Sequence, residues 1–430
     1  MNTPICDFVH CYAQREMLRL HMPGHKGLGQ MERLDITEVQ GADSLYEADG
    51  IIAQSEANAS ALFGCPTFYS TEGSSQCIRA MVYLAMLQAK KQGKMPKIAA
   101  GRNVHKTFLS AVALLDVDVC WLYGGENYLS CPVTAEAVEA LGVDVTALYL
   151  TSPDYLGNMV DIAAIAQVCH RKGILLMVDN AHGAYLRFLT PSLHPVDQGA
   201  DLCCDSAHKT LPIITGGAYL HIRDEKMAQL AKDALALFGS TSPSYLILQS
   251  LDAVNAYLAE DYGEKLREFV GVLSGYKNRW HSVGDEPMKL TLHAKSWGYT
   301  GVELAQLLRQ AGIECEFSDP DYVVLMPTPE LGTESLRKLE EALDQIPRRA
   351  PVLESPPALA QPERVCSVRQ ALLSPSKTVP VAESLGKVLA FASVGCPPAV
   401  PILVCGERID ENAIACFQYY GMETCTVMDE

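Results

Sequence analysis

The spacing of apolar positions changes along the chain, and the change maps its elements. From about residue 60 to about 225, apolar runs of strand length recur: KIAAG (97–101), VDVCWLY (117–123), VTALYLTS (145–152), GILLMVD (173–179), ADLCCDS (200–206) and GAYLHI (217–222). Several are apolar at successive positions, the pattern of strands covered on both faces. Helical spacing lies between them. In DIAAIAQVCHRKG, Asp161 is placed as the N-cap, Ile162, Ile165, Ala166 and Cys169 form a stripe at i, i+3, i+4 and i+7, and Gly173 follows as the stop. Strand–helix–strand alternation predicts an α/β fold with a mainly parallel central sheet and helices on both faces. Ligands on such sheets sit beyond the carboxyl ends of the strands.

The flanking regions read differently. An N-terminal segment, 1–60, is mixed, with the turn HMPGHKGLGQ and then the apolar-periodic IIAQSEANASALFG. The large domain is placed at 61–285, and a long helical segment is expected at about 244–275. Residues 286–349 read strand, helix, strand, helix (MKLTLHA, GVELAQLLRQAG, YVVLMP, ESLRKLEEALDQI), a small α+β domain. A Pro-rich linker, 350–363, precedes a C-terminal region, 364–430, that holds the short apolar stretch CPPAVPILVCGE.

Composition narrows the function. With 430 residues, 48% of them hydrophobic, the chain can bury a large core. A formal net charge of −17 disfavours sequence-independent binding of nucleic acid, which needs clustered basic charge. It suits a cationic small substrate, and it equally suits plain solubility. No apolar run is long enough to span a membrane, and the N-terminus lacks a signal-peptide layout, so a cytoplasmic protein is expected. The 15 cysteines are scattered, with no C-x-x-C pair, and Cys203 and Cys204 sit inside an apolar run as core residues. His21 and His25 are separated by Pro23 and Gly24, which argues against a shared helical face, and no metal site is expected.

The strand ends carry the chemistry. GILLMVD ends on Asp179, followed by Asn180, Ala181 and His182; ADLCCDS runs into Ser206, Ala207, His208 and Lys209; KIAAG leads to His105. YSTEGSSQ (69–76) is small and polar before a helix, a layout whose backbone N–H groups cradle phosphate. A carboxylate, a lysine, histidines and a phosphate cradle match pyridoxal 5′-phosphate. That aldehyde cofactor needs a lysine amine for a Schiff base and an acid to keep its pyridine nitrogen protonated. His208 either lowers the lysine pKa or meets the phosphate.

Along nearly its whole length the sequence resembles the Orn/Lys/Arg decarboxylases, basic amino-acid decarboxylases of the fold type I, aspartate-aminotransferase-like architecture. The resemblance is carried by LRLHMPGHKG, GADSLYEADGII, RNVHKT, VDNAHGAY, STSPSYLILQSLD, LGKVLAFASVGCPPAVPILVCGE and, most specifically, DSAHKTL. It implies a bound pyridoxal 5′-phosphate and decarboxylation of arginine, lysine or ornithine to the amine and CO2. Lys209 would be the Schiff-base lysine, Asp179 the partner of the pyridine nitrogen, and His105 the ring-stacking residue. His182 would lie beside the ring's 3′ oxygen, and Ser206 and His208 at the phosphate. Glu72, Gly73 and Ser74 align with the phosphate turn. Thr241 or Ser242 would reach the phosphate of a neighbouring subunit, which implies a homodimer or higher homo-oligomer with the segment 1–60 at the dimer interface. PGHKG is either a tight turn or brings His25 and Lys26 near the site. Glu407 either meets a cationic substrate tail or is a solvated surface residue.

The sequence departs from the family pattern at three places. STEGSS stands in the phosphate turn, SPDYLG places Asp154 in a block that is usually P-T-Y-D/H-G, and CPPAVP has lost a tyrosine. It also lacks the receiver-like N-terminal domain of the large members, so their decamer is not implied. Other reactions of the same fold (transamination, aldol cleavage, desulfuration) and a silent scaffold or regulatory paralogue remain open at this level, because fold does not fix chemistry.

Overall fold

Each of the six apolar runs forms a strand, trimmed at its ends. A computed structural model describes the chain except residues 16, 126, 359–360, 393–397 and 430. The residues Cys396 and Pro397 of the altered CPPAVP block lie outside the described residues. The chain divides into two compact units, Met1–Gly93 with Ile162–Leu266, and Lys94–Asp161 with Arg267–Glu430.

In the first unit, Leu175–Asp179 pairs in parallel with Leu202–Asp205, with Asp179 opposite Cys204. Leu202–Asp205 pairs antiparallel with Ala218–Ile222, which pairs antiparallel with Thr67–Ser70. The last of these strands is four residues long and escaped the periodicity. The strand residues are closed to solvent on both faces: Leu176, Met177, Val178, Leu202, Cys203, Cys204, Leu220 and Ile222 are all fully buried. Cys203 and Cys204 are therefore core residues, as expected, and burial pushes both thiols well above their ordinary pKa. The helix Ser74–Lys91 covers these strands with Cys77, Ile78, Met81, Val82 and Ala85. The helix Ile162–Lys172 buries the predicted stripe, and Gly173 ends it at φ +69°.

The helical segment expected at 244–275 is made of two helices. Tyr245–Ala259 stops, and Tyr262–Trp280 begins again after Asp261, whose carbonyl accepts from Glu264 and Lys265 N–H. The acid at 261 followed three residues later by Glu264 is a helix-start spacing inside an otherwise continuous apolar pattern.

In the second unit, Lys97–Gly101 pairs in parallel with both Asp118–Leu122 and Ala147–Thr151. Three of these five strand pairs are parallel, so the fold is α/β with a mainly parallel central sheet. The small α+β region follows its predicted order. Leu290–His293, Tyr322–Leu325 and the two-residue strand Phe317–Ser318 form an antiparallel sheet, backed by Gly301–Gln310 and Gly332–Asp344. A capping box between Thr300 and Glu303 starts the first of these helices. The C-terminal region folds as a three-stranded antiparallel sheet, Ser376–Pro380, Thr424–Met428 and Leu389–Phe391, around Ile409, Phe417 and Val427.

Candidate active site

The loop after Thr67–Ser70 is built to enter a helix at a sharp angle. Gly73 takes φ +70°, which L side chains rarely adopt, and its N–H donates to Gly216 carbonyl at 2.7 Å. Gly73 therefore contributes shape rather than a donor. The first turn of Ser74–Lys91 then presents backbone N–H groups at the positive end of an 18-residue helix. Ser74 Oγ lies 2.7 Å from Ser206 Oγ, joining this turn to the end of the strand Leu202–Asp205.

Lys209 follows in the short helix Ala207–Thr210, and its Nζ lies 3.0 Å from His182 Nε2. His182 is brought there by the turn after Leu175–Asp179. Gly183 is required in that turn, because a methyl group on it would lie 2.0 Å from Asn180 Oδ1. Asp179, 2% exposed, accepts from Ala181 N–H at 3.2 Å and faces the Cys204 thiol at 3.7 Å. His208 donates from Nδ1 to Gly217 carbonyl at 3.0 Å. Burial, and then the charge of Lys209, hold its imidazole below the usual pKa, so it stays neutral and keeps Nε2 as its second ring nitrogen. A methyl on Gly73 would lie 3.9 Å from its Cε1, so ring and turn are neighbours. Lys209 and His182, Ser206 and Ser74, and His208 and Gly73 thus come together as three pairs at the strand ends.

The other expected residues make contacts of their own. Glu72 turns its carboxylate to Ser240 N–H at 2.5 Å, which ties the segment before Thr241 and Ser242 to the turn, and both of those residues are exposed. His105, in the second unit, caps Lys106–Leu115 by accepting Thr107 N–H on Nδ1, which fixes its ring. Asp154 is buried and caps its own loop through Leu156 and Asn158 N–H, so its charge is spent locally. The solvated-surface reading of Glu407 does not hold. It is 1% exposed and ion-paired with Arg102 at 2.6 Å, because a charge at that depth needs a partner. His25 meets Asp35 at 3.2 Å.

Sequence reasoning missed the network beneath the strand ends. Asp205, fully buried, accepts from Asn180 Nδ2 at 2.7 Å on Oδ1, and from His194 and His221 Nε2 at 3.1 and 3.0 Å on Oδ2. Burial opposes its ionisation, but the two histidines outweigh it and hold the carboxyl well below the usual range. Asp205 precedes Ser206, and Asn180 follows Asp179, so this bond ties together the two strand ends that carry the predicted groups. The three groups lie close enough to ligate a metal. In the structure both histidines hydrogen-bond directly to Asp205.

Residues 3–279 match the family described as Orn/Lys/Arg decarboxylase, major domain. The arginine decarboxylase of Halalkalibacterium halodurans is 27% identical over 465 residues, covering 96% of this chain and 92% of that protein. The arginine decarboxylase of Bacillus subtilis is 27% identical over 459 residues, with the same coverage of 96% and 92%. The solved lysine decarboxylase of Francisella novicida superposes with a TM-score of 0.80 at 16% identity, covering 99% of this chain and 81% of that one. The fold is thus that of the fold type I enzymes, whose families use pyridoxal phosphate. With the match spanning both strand ends, the phosphate-type turn and Lys209, the chain belongs to the Orn/Lys/Arg decarboxylase family.

Proposed function

We propose that this chain decarboxylates a basic L-amino acid, arginine or lysine before ornithine, with pyridoxal 5′-phosphate as cofactor. One observation carries the reading: Lys209 Nζ sits 3.0 Å from His182, at strand ends that also hold a buried Asp179 and a helix N-terminus paired to Ser206. The donor set fits the group. Lys209 is its covalent tether, and Asp179 is the anion for its pyridine nitrogen. The first turn of Ser74–Lys91, with Ser74, Ser206 and His208, receives its phosphate. His182 serves its 3′ oxygen, and His105 covers its ring. Thr241 or Ser242 completes the phosphate site of a second subunit, so the working form is a homodimer or larger. Glu72 acts by holding Ser240.

When bound, pyridoxal phosphate supplies an electron sink conjugated to the substrate Cα. The remaining work falls to side chains. Lys209 would hold the group through its amine and, beside His182, would be placed to carry a proton. Asp179, screened from water, keeps a positive charge favourable opposite it. Lys209, as its ammonium, is the candidate to return a proton to Cα after CO2 leaves, and His208 can serve only once its Nε2 has taken up a proton. The names of the relatives favour arginine, and the net charge of −17 favours a cationic substrate.

Lys209→Ala is expected to abolish the visible absorbance of the bound cofactor. It should also cut CO2 release from arginine, lysine and ornithine by about 10³-fold or more, with far-UV circular dichroism unchanged. Release at the parental rate would overturn the assignment.

A further inference from the structure

Outside the predicted site, a cavity of about 340 Å3 opens in the second unit, lined by Tyr128, Phe317, Asp319, Tyr419 and Tyr420. We propose that it is a second binding site, for an organic cation of the alkylammonium or alkylguanidinium class. None of its residues belongs to the predicted catalytic set, so the inference stands whatever reaction the enzyme performs.

The wall is aromatic. Tyr420 stands at 66° to Tyr128 with ring centroids 4.7 Å apart, and at 83° to Tyr419 at 5.0 Å. Perpendicular rings offer π faces and edges in one corner, the layout that attracts organic cations. The floor holds a carboxylate. Asp319 is 7% exposed, and its Oδ1 accepts Asp321 and Tyr322 N–H at 2.8 and 2.7 Å. Its other oxygen has no partner among the described residues. Burial, with too little opposing charge, pushes this carboxyl up to about 6. Both Asp319 and Asp321 also push up the Tyr128 and Tyr420 phenols, after burial, so the corner is electronegative.

The protein contains its own precedent for the ligand. Lys295, 1% exposed, holds its ammonium 3.0 Å from Asp321 Oδ1, 2.8 Å from Glu354 carbonyl and 4.8 Å from the Tyr419 ring centroid. One buried carboxylate of the pair therefore has an alkylammonium and a tyrosine face. The other, Asp319, lines the cavity with the tyrosines, feels Lys295 only at a distance and makes no ion pair among the described residues. An anion is disfavoured by two carboxylates against one lysine. A divalent metal would find one open oxygen on each of Asp319 and Asp321 and neutral phenols, too few hard ligands.

The test titrates the full-length, cofactor-loaded protein with 1,5-diaminopentane, with agmatine and with neutral 1,5-pentanediol, by calorimetry. Asp319→Asn keeps the Oδ1 acceptor that holds the loop and replaces only the unpartnered oxygen. It is expected to weaken cation binding by about 10-fold or more, with decarboxylation at saturating substrate unchanged. Tyr420→Phe, which keeps the ring, is expected to bind as the parent does, and Tyr420→Leu to lose binding. The preferred cation identifies the head group, ammonium or guanidinium. Equal cation binding by parent and Asp319→Asn, or equal affinity for the diol, would overturn the site. Loss of CO2 release in every variant and the parent would instead count against the decarboxylase reading, leaving this result readable.

Discussion

Asp205 and Asp319 are buried carboxylates of the same chain with opposite electrostatics. Asp205 lies beneath the strand ends of the first unit, where two imidazoles and an amide fill its lone pairs and hold its pKa far down. Asp319 lies beneath an aromatic corner of the second unit, where two backbone N–H groups satisfy one oxygen and leave the other bare, and its pKa rises. Depth is nearly equal, 0% against 7% exposed, so partners and not burial set the difference. A charge matched by neighbours holds structure together. A charge left unmatched costs stability, and such groups are retained where something else supplies the missing partner.

The strongest way to break this contrast is to remove the matched carboxylate. Asp205→Ala strands His194, His221 and Asn180 in a fully buried site, and is expected to destabilise the fold by about 3–5 kcal/mol. Urea unfolding of the parent and the variant measures it. The pH dependence has a definite sign. The folded pKa lies below the unfolded one, so the contribution of Asp205 is present above the ordinary carboxylate range and disappears as pH falls below that range. A loss under 1 kcal/mol would mean that the network decorates the strand ends without holding them.

Asp319→Asn should act in the opposite direction. The folded carboxyl, at about 6, binds its proton more tightly than the unfolded one, at about 3.9. The penalty therefore grows as pH rises between those values and is full above the higher one. The variant is expected to be more stable than the parent by about 1–3 kcal/mol at neutral pH, with the gain vanishing on acidification to about pH 4. Saturating 1,5-diaminopentane should stabilise the parent and close the gap. A destabilised variant at neutral pH would show that Asp319 already has its charge compensated.

What the sequence made legible, and what it hid, follows the same division. Apolar runs located the six strands, because strands covered on both faces must be apolar throughout. The motif at 205–211 led to Lys209 beside His182, since both lie immediately after strands in a parallel pair. The Asp205 network was invisible because its partners come from register. His221 stands opposite Cys203 and Thr67 across antiparallel pairs, and His194 arrives on a loop with no periodic signal. Arg102 and Glu407 are 305 residues apart, and Asp319 and Tyr420 line one cavity from positions far apart in the chain, so no local spacing announces either. The break at Asp261 was readable from its spacing to Glu264, but a continuous apolar pattern outweighed it.

The smallest effect tests whether exposure alone disarms a carboxylate. Glu72 has a single short bond to Ser240 N–H, yet it faces solvent. Glu72→Gln keeps an acceptor for that N–H and deletes only the charge. Its stability should stay within about 0.5 kcal/mol of the parent, as for most surface changes. Because the charge sits one residue before the turn proposed for the phosphate, removing it should tighten cofactor binding by about 2–3-fold at low salt. Screening should erase that gain at high salt, which separates it from any change in shape. An absorbance titration of cofactor-free protein at two ionic strengths measures both. If the variant instead binds the cofactor more weakly, the hold of Glu72 on Ser240 matters more than its charge, and an exposed carboxylate would then be doing the structural work here assigned to Asp205.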